Sequence, residues 1–335
     1  MALQSINIGS SANDGTGSTL RAAFDICNDN FSELYGGTTS ALAFKAEGTN
    51  FTGSLIIGHS TTGTISSATY NTALGIGAMD AITTADNSVA IGFNAGTSIT
   101  TGSSNILIGA YTGDALVGGG SNVAIGYAAL TTEDGHGANV AVGFQALYAQ
   151  NAGADAYNVA VGYNAGVAIT TGTHNVLLGG KAGDSLNTGS ANIAIGYEAL
   201  QYETAYGNNV AIGHQALNSL RAGAAGYNVA IGDNAGVAMS TGVRNTIIGA
   251  LAGDAMTTGV DSVAIGHNAL GALTIGHNNV AIGKDALGTS VDGDYNVAVG
   301  YEALKTYEDG DGNGFNTAIG AKAMKHATTA EYSTS

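Results

Sequence analysis

Sixteen times between Ser54 and Gly320 the chain writes five residues in one pattern: a polar residue, a branched one, a small one, another branched one, and glycine. The copies begin at Ser54, Asn71, Ser88, Asn105, Asn122, Asn139, Asn158, Asn175, Asn192, Asn209, Asn228, Asn245, Ser262, Asn279, Asn296 and Asn316, and twelve of the fifteen intervals are 17 residues, the others 19, 19 and 20. A fixed short period marks a repeat array. With the Asn or Ser as position 0, position +1 is Val, Ile, Leu or Thr, +3 is always Ile, Leu or Val, and +2 is usually Ala. Branched residues two apart have the period of a strand, here about four or five residues long.

Position +4 is Gly in every copy. A glycine at a strand end permits positive φ or the close approach of a neighbouring backbone. The rest of the period, such as "YAALTTEDGHGA" after Gly126, has a small apolar pair at +7 and +8 and then a Gly/Thr/Ser/Asn-rich return. Seventeen residues hold two short strands and two turns but no full helix. The pattern predicts an all-β protein: a parallel β-solenoid, or β-roll, of about sixteen 17-residue coils, intertwined or packed as a homotrimer, rising roughly 75 Å at about 4.8 Å per coil. In register, the Asn side chains would bond to one another as a ladder, and Asn also tolerates a turn conformation.

A second period lies over the first. Position +2 becomes Leu107, Leu177 and Ile247 at 70-residue spacing, and the same coils carry Ala110, Gly180 and Ala250 at +5. Position +8 alternates in blocks, Gly at 96, 113, 166, 183, 236 and 253 against Leu at 130, 147, 200, 217, 270 and 287. A four-coil unit has been copied, and the size changes predict that +2 and +5 share packing space.

The first residues obey other rules. In "STLRAAFDICNDNFSELY" from Ser18, Leu20, Phe24, Cys27, Phe31 and Leu34 recur at steps of 4, 3, 4 and 3, an a/d seam that predicts a short amphipathic α-helix. Two heptads are too short to be stable alone, so the helix needs copies of itself or a docking partner. The division that follows is residues 1–40 for this segment, 41–53 a linker, 54–325 the repeat shaft and 326–335 a polar tail.

Composition removes several function classes. A net charge of −16 opposes nucleic-acid binding, which rests on clustered Lys and Arg. The single Cys gives no disulfide framework. The start "MALQSINIGS" lacks a basic and an apolar region, and no apolar run approaches a membrane span, so neither a secretory precursor nor membrane insertion is expected.

The segment "INIGSSANDGTGSTLRAAFDICNDNFSELY", Ile6 to Tyr35, resembles the N-terminal attachment segment of tailed-bacteriophage fibre and baseplate-attached proteins, through Asn13, Asp14, Gly15, Thr16, Gly17, Leu20, Arg21, Ala23, Phe24, Asn28, Asn30 and Phe31. Ser18 and Ile26 stand where that pattern has Asp and Lys. The resemblance implies a virion protein docked to the phage baseplate or tail through Leu20, Arg21, Phe24, Phe31 and Leu34. The repeat resembles the heads of trimeric autotransporter adhesins, which carry S-V-A-I-G, matched by "SVAIG" at Ser88 and Ser262. It implies a trimeric parallel β-roll. Together they imply a homotrimeric tail fibre or fibre shaft in host attachment, with a host receptor or a separate tip protein as a further partner. The alternative is an adhesin that binds a surface glycan or protein through the roll.

Candidate chemistry is sparse. Position +5 is often aromatic (Phe93, Tyr127, Phe144, Tyr163, Tyr197, Tyr301), a column suited either to glycan contact or to packing on itself. His59, His214 and His267 occupy the same column and read as substitutes for Tyr before they read as ligands. In "EDGDGNG", Asp309, Asp311 and Asn313 begin a calcium-loop pattern, but Gly320 stands where its bidentate Glu belongs, which favours a widened turn over a metal. A glycan-cleaving site needs two carboxylates fixed in a groove, and no interval exceeds the period by more than three residues. No enzyme and no cofactor is expected.

Overall fold

The computed structural model describes residues 44–45, 54–57, 66–307, 314–327 and 332–335. Each coil contributes one strand, from β2 (Leu55–Ile57) to β17 (Thr317–Ile319), and each strand pairs in parallel with the next in strict register. Ala194, for example, lies over Ala211 and under Leu177. The array is a parallel β-solenoid of about fifteen turns. Before it, β1 (Phe44–Lys45) pairs antiparallel with β2. Among the described residues there is no helix, and the predicted N-terminal helix lies outside them.

The strands are three residues long, shorter than the alternation suggests, and each coil has one strand rather than two. Position +2 points inward and is buried in all sixteen, whereas +1 and +3 face outward and are never buried. The interior is filled by stacked columns: Ala at +2, Ala at +7 (Ala95, Ala129, Ala146), Leu at +8 (Leu130, Leu147, Leu200) and a column at +11 (Ile99, Leu116, Ile169, Leu186) that the periodicity does not reveal.

The Asn column is fully buried, and its amides close the structure in two directions. Within a coil the Asn105 Nδ2 donates to the carbonyl of Gly119 at 2.9 Å, joining the start of the coil to its end. Between coils the Asn105 Oδ1 accepts from the backbone N–H of Asn122 at 3.0 Å, and the Asn122 Oδ1 from that of Asn139. Direct amide-to-amide bonds appear as well, as from Asn175 to Asn158 at 3.1 Å. Where Ser replaces Asn, its hydroxyl still accepts the next coil's N–H.

The turn conformation expected of Asn falls to the residue before it. Tyr157, His174, Ala191 and Asn208 all have φ near +55°, as do the residues at +6 and +8. Three left-handed positions recur per coil, and among the described residues no Val, Ile or Thr occupies any of them, because a β-branched side chain clashes there. Such residues persist where the surroundings over-determine them. Here the N–H of most donates to an adjacent coil, as from His174 to Ala156 (2.8 Å), Lys181 to Tyr163 (2.8 Å) and Leu147 to Ala165 (3.1 Å).

The predicted exchange of volume between +2 and +5 is corrected. Position +2 is inside the wall and +5 outside it, so the two never compete for space. The partner of the large +2 residue is +8. A Cβ on Gly166 would lie 2.7 Å from Leu177 Cδ1, and one on Gly183 would lie 3.0 Å from Leu177 Cδ2. One leucine therefore fills the space that two glycines vacate, one in its own coil and one in the coil before, which is why +8 is Gly in two consecutive coils of every four.

At the far end, Tyr332–Ser335 repeat the opening of a coil. The N–H of Ser333 donates to Asn316 Oδ1 at 3.0 Å, and Thr334 bridges to Thr317 in parallel.

The glycine at +4 tests the stacking directly. Gly196 has φ +133°, and a Cβ there would sit 2.6 Å from the carbonyl carbon of Gly213 in the next coil. Gly196→Val is expected to lower stability by about 3 kcal/mol or more, from the strained backbone and the forced separation of two coils. Thermal melting followed by circular dichroism checks this.

Candidate interaction surfaces

With the interior closed, recognition falls to the outer columns. The residue at +5 follows the positive-φ glycine and projects from the wall; Phe93, Tyr127, Phe144, Tyr163, Tyr197 and Tyr301 are between 41% and 55% exposed. Tyr127, Phe144 and Tyr163 form a continuous stack, with ring centroids 5.4 and 5.3 Å apart and planes within 12°. Phe93 joins it through Tyr111, which takes over at +6 where +5 is Ala110, by two edge-on contacts at 5.3 and 5.9 Å. Gly180 ends the stack. Beyond it Tyr197 stacks on His214 at 6.0 Å, and His214 Nδ1 lies 3.1 Å from Asp233 Oδ1. Tyr301 stands apart, with Lys322 Nζ 5.9 Å from its ring. A small residue every four coils thus divides the column into groups of three, and rings stack within the first two of these groups.

A second aromatic column, not foreseen in the sequence, runs at −1. Tyr157 stacks on His174 at 5.5 Å, and Tyr295, Phe315 and Tyr332 stack at 5.0 and 5.1 Å. The signal was present in Tyr70, Tyr157, Tyr227 and Tyr295, each immediately before the repeat's Asn.

Charges cluster where the columns break. Beside Gly180, Lys181 lies 3.5 Å from Glu198, whose carboxyl is held below its usual range chiefly by the Gln215 amide at 2.9 Å. Glu302 is gripped by Lys325 (2.5 Å) and Lys305 (3.0 Å), which hold its pKa at about 2. Asp184 and Asp254, 70 residues apart, are pushed up instead, mainly by burial.

The third surface is the outward face of the sheet, where +1 and +3 form an unbroken stripe of Val, Ile and Leu, with Thr72, Thr246 and Thr317 the three hydroxyl-bearing exceptions. The expected docking residues Leu20, Arg21, Phe24, Phe31 and Leu34, and the turn candidates Asp309, Asp311 and Asn313, lie outside the described residues. Among the described residues no helix is long and apolar enough to cross a membrane.

The class defined by this geometry is a parallel β-solenoid with a polar-capped apolar interior. No protein-family pattern, curated protein or solved structure matches the chain.

Two measurements test these surfaces. Phe144→Ala removes both of its ring contacts and is expected to lower stability by about 1–3 kcal/mol, read by urea denaturation. The Glu302 cluster gives a pH signature. Its pKa is depressed in the folded state, so its contribution is present above about pH 4.5 and is lost as pH falls through about 2. The difference in melting temperature between wild type and Glu302→Gln should be constant from pH 7 to 5 and shrink steadily below that.

Proposed function

We propose that the chain is a fibrous structural protein of a virion: the shaft of a homotrimeric bacteriophage tail fibre, linking tail or baseplate to the host surface. The observation that carries this reading is the aliphatic stripe. Sixteen strands present outward +1 and +3 residues, none of them buried, at one register. At about 4.8 Å per coil the stripe is roughly 75 Å long. Two side chains wide, it offers on the order of 1,000 Å² of mostly apolar surface, more than the roughly 300–600 Å² of a typical monomer's largest patch and comparable to the about 800 Å² per partner of a stable interface. Further copies of the chain cover it in a trimer.

The attachment end is supplied by the resemblance of Ile6 to Tyr35, with Leu20, Arg21, Phe24, Phe31 and Leu34 against a baseplate or tail protein. The reading needs no cofactor and no catalysis. A second reading, a trimeric adhesin that touches a host glycan or protein itself, is favoured by the outward aromatic columns, whose edges at Phe93, Tyr127, Phe144, Tyr163, Tyr197 and Tyr301 stay accessible. On the first reading, a host receptor is reached at the fibre's end or through a separate tip protein.

Light scattering on the full chain tests the trimer. Three chains per particle are expected, and placing Asp at both Ile193 and Ile212 on adjacent strands should release monomers that retain the β spectrum. A wild-type particle with the mass of one chain would remove the proposal. Replacing Phe24 and Phe31 by Ala should leave the trimer intact and yield virions without fibres.

A further inference from the structure

The +11 column is apolar for most of its length, yet two of its members are glutamates, Glu133 and Glu203, both fully buried and 70 residues apart. A carboxylate in a core column is unfavourable unless every lone pair finds a partner. Glu203 finds them all. Its Oε1 accepts from the backbone N–H groups of Thr204, Ala205 and Tyr206 at 2.9, 3.0 and 3.0 Å, and its Oε2 from that of Ala222 at 2.8 Å. The glutamate closes the corner of its coil onto the wider, 19-residue coil that follows.

Glu133 occupies the same place one four-coil unit earlier, but its surroundings differ. Its Oε1 accepts only from the N–H of His136 at 3.0 Å, and its Oε2 is buried with no hydrogen-bond partner. The Ala152 amide, counterpart of Ala222, pulls the carboxyl toward its charged form but makes no hydrogen bond to Oε2, and burial is the larger influence, raising the pKa. Where Glu203 has Thr204 and Tyr206 beside it, Glu133 has Asp134 and His136. The His136 Nδ1 is also buried and unpaired, 3.7 Å from Glu133 Oε1. Asp134 is exposed on the same turn, and the three potential ligand atoms lie within 4.8 Å of one another. Gly135 between them has open space around it, so the turn is free to tighten.

We propose that Glu133, Asp134 and His136 form a binding site for a divalent transition-metal ion of the zinc type. The repeat unit supplies its own control: the copy that lacks the two extra ligands is satisfied by backbone amides, and the copy that has them leaves a carboxylate oxygen and a nearby imidazole nitrogen buried without hydrogen-bond partners. One imidazole nitrogen and two carboxylates suit zinc, nickel or cobalt better than calcium, which prefers oxygen alone. Water completes the coordination on the exposed side of Asp134, and the ion neutralises the buried carboxylate as it binds.

Zinc chloride titrated into the full chain, free of any affinity tag, by isothermal calorimetry tests the site. Wild type is expected to bind one ion per chain, reversibly by EDTA, and to melt at a higher temperature when loaded. The double variant Asp134→Thr, His136→Tyr rebuilds the sister turn, so in EDTA it should melt with wild type, while its zinc affinity falls by about 100-fold. His136→Gln alone provides a second reading, since in the cobalt-loaded protein it should change the visible absorption that reports nitrogen ligation. Absence of a saturable zinc site in wild type overturns the proposal, as does a zinc site that both variants leave intact.

Discussion

Everything in the coil follows from what one buried asparagine amide does twice. In the 17-residue coils its Nδ2 reaches across the interior to the carbonyl at +14, fixing the circumference of its own coil, while its Oδ1 takes the backbone N–H of the next coil's first residue, fixing the register between coils. In the three widened coils Asn139, Asn209 and Asn296 donate to the carbonyl two residues back instead. A side-chain amide buried without partners would be costly, and two partners per coil are available only if neighbours are in register and of similar length. The column therefore penalises both slippage and large insertions. That is the physical reason the intervals stay at 17 residues and stretch only to 19 or 20.

The glycine column serves the opposite side of the same strand. From Gly75 to Gly300 each +4 glycine turns the chain at φ near +135° and lies against the glycine carbonyl of the following coil, so the coils approach more closely there than any side chain permits. Together the two columns bracket a strand of only three residues. Such a strand has little stability of its own, and its persistence over sixteen coils comes from neighbours that repeat it.

The strand, the Asn ladder and the glycine were legible because each leaves a local mark: alternation, a fixed polar residue, or an invariant small one. The rest of the coil leaves none. The conformations at −1, +6 and +8 are held by hydrogen bonds to adjacent coils, so residues as different as His174, Lys181 and Leu147 adopt nearly the same φ. What the sequence does retain is an exclusion, since among the described residues no β-branched residue occurs at those positions, and an exclusion is visible only once the positions are known. The pairing of +2 with +8 was misassigned to +5 for the same reason. Leu107 with Ala110, and Leu177 with Gly180, co-vary along the chain, but the correlation reflects two separate four-coil rhythms, one inside the wall and one outside it. The glutamates at +11 went unnoticed because "EDGHG" looks like any polar turn until its first residue is seen to point into the core.

The two kinds of outer surface differ in what they can match. The stripe at +1 and +3 changes little from Leu55 to Ile319, so a partner that covers its whole length must itself repeat every coil. Another copy of the same chain meets that requirement without further specification, which is the physical basis of the proposed trimer. The +5 column varies instead, from Tyr127–Phe144–Tyr163 to Tyr197–His214–Asp233 and then His267–Lys284–Tyr301. A column whose chemistry shifts from aromatic to acidic to basic within three units cannot be held by a periodic partner. A self-interface of the kind proposed for the stripe would require it to be uniform. Its variation therefore fits a surface left facing solvent, where ring stacking along the solenoid contributes stiffness and each group of three is free to meet a different contact.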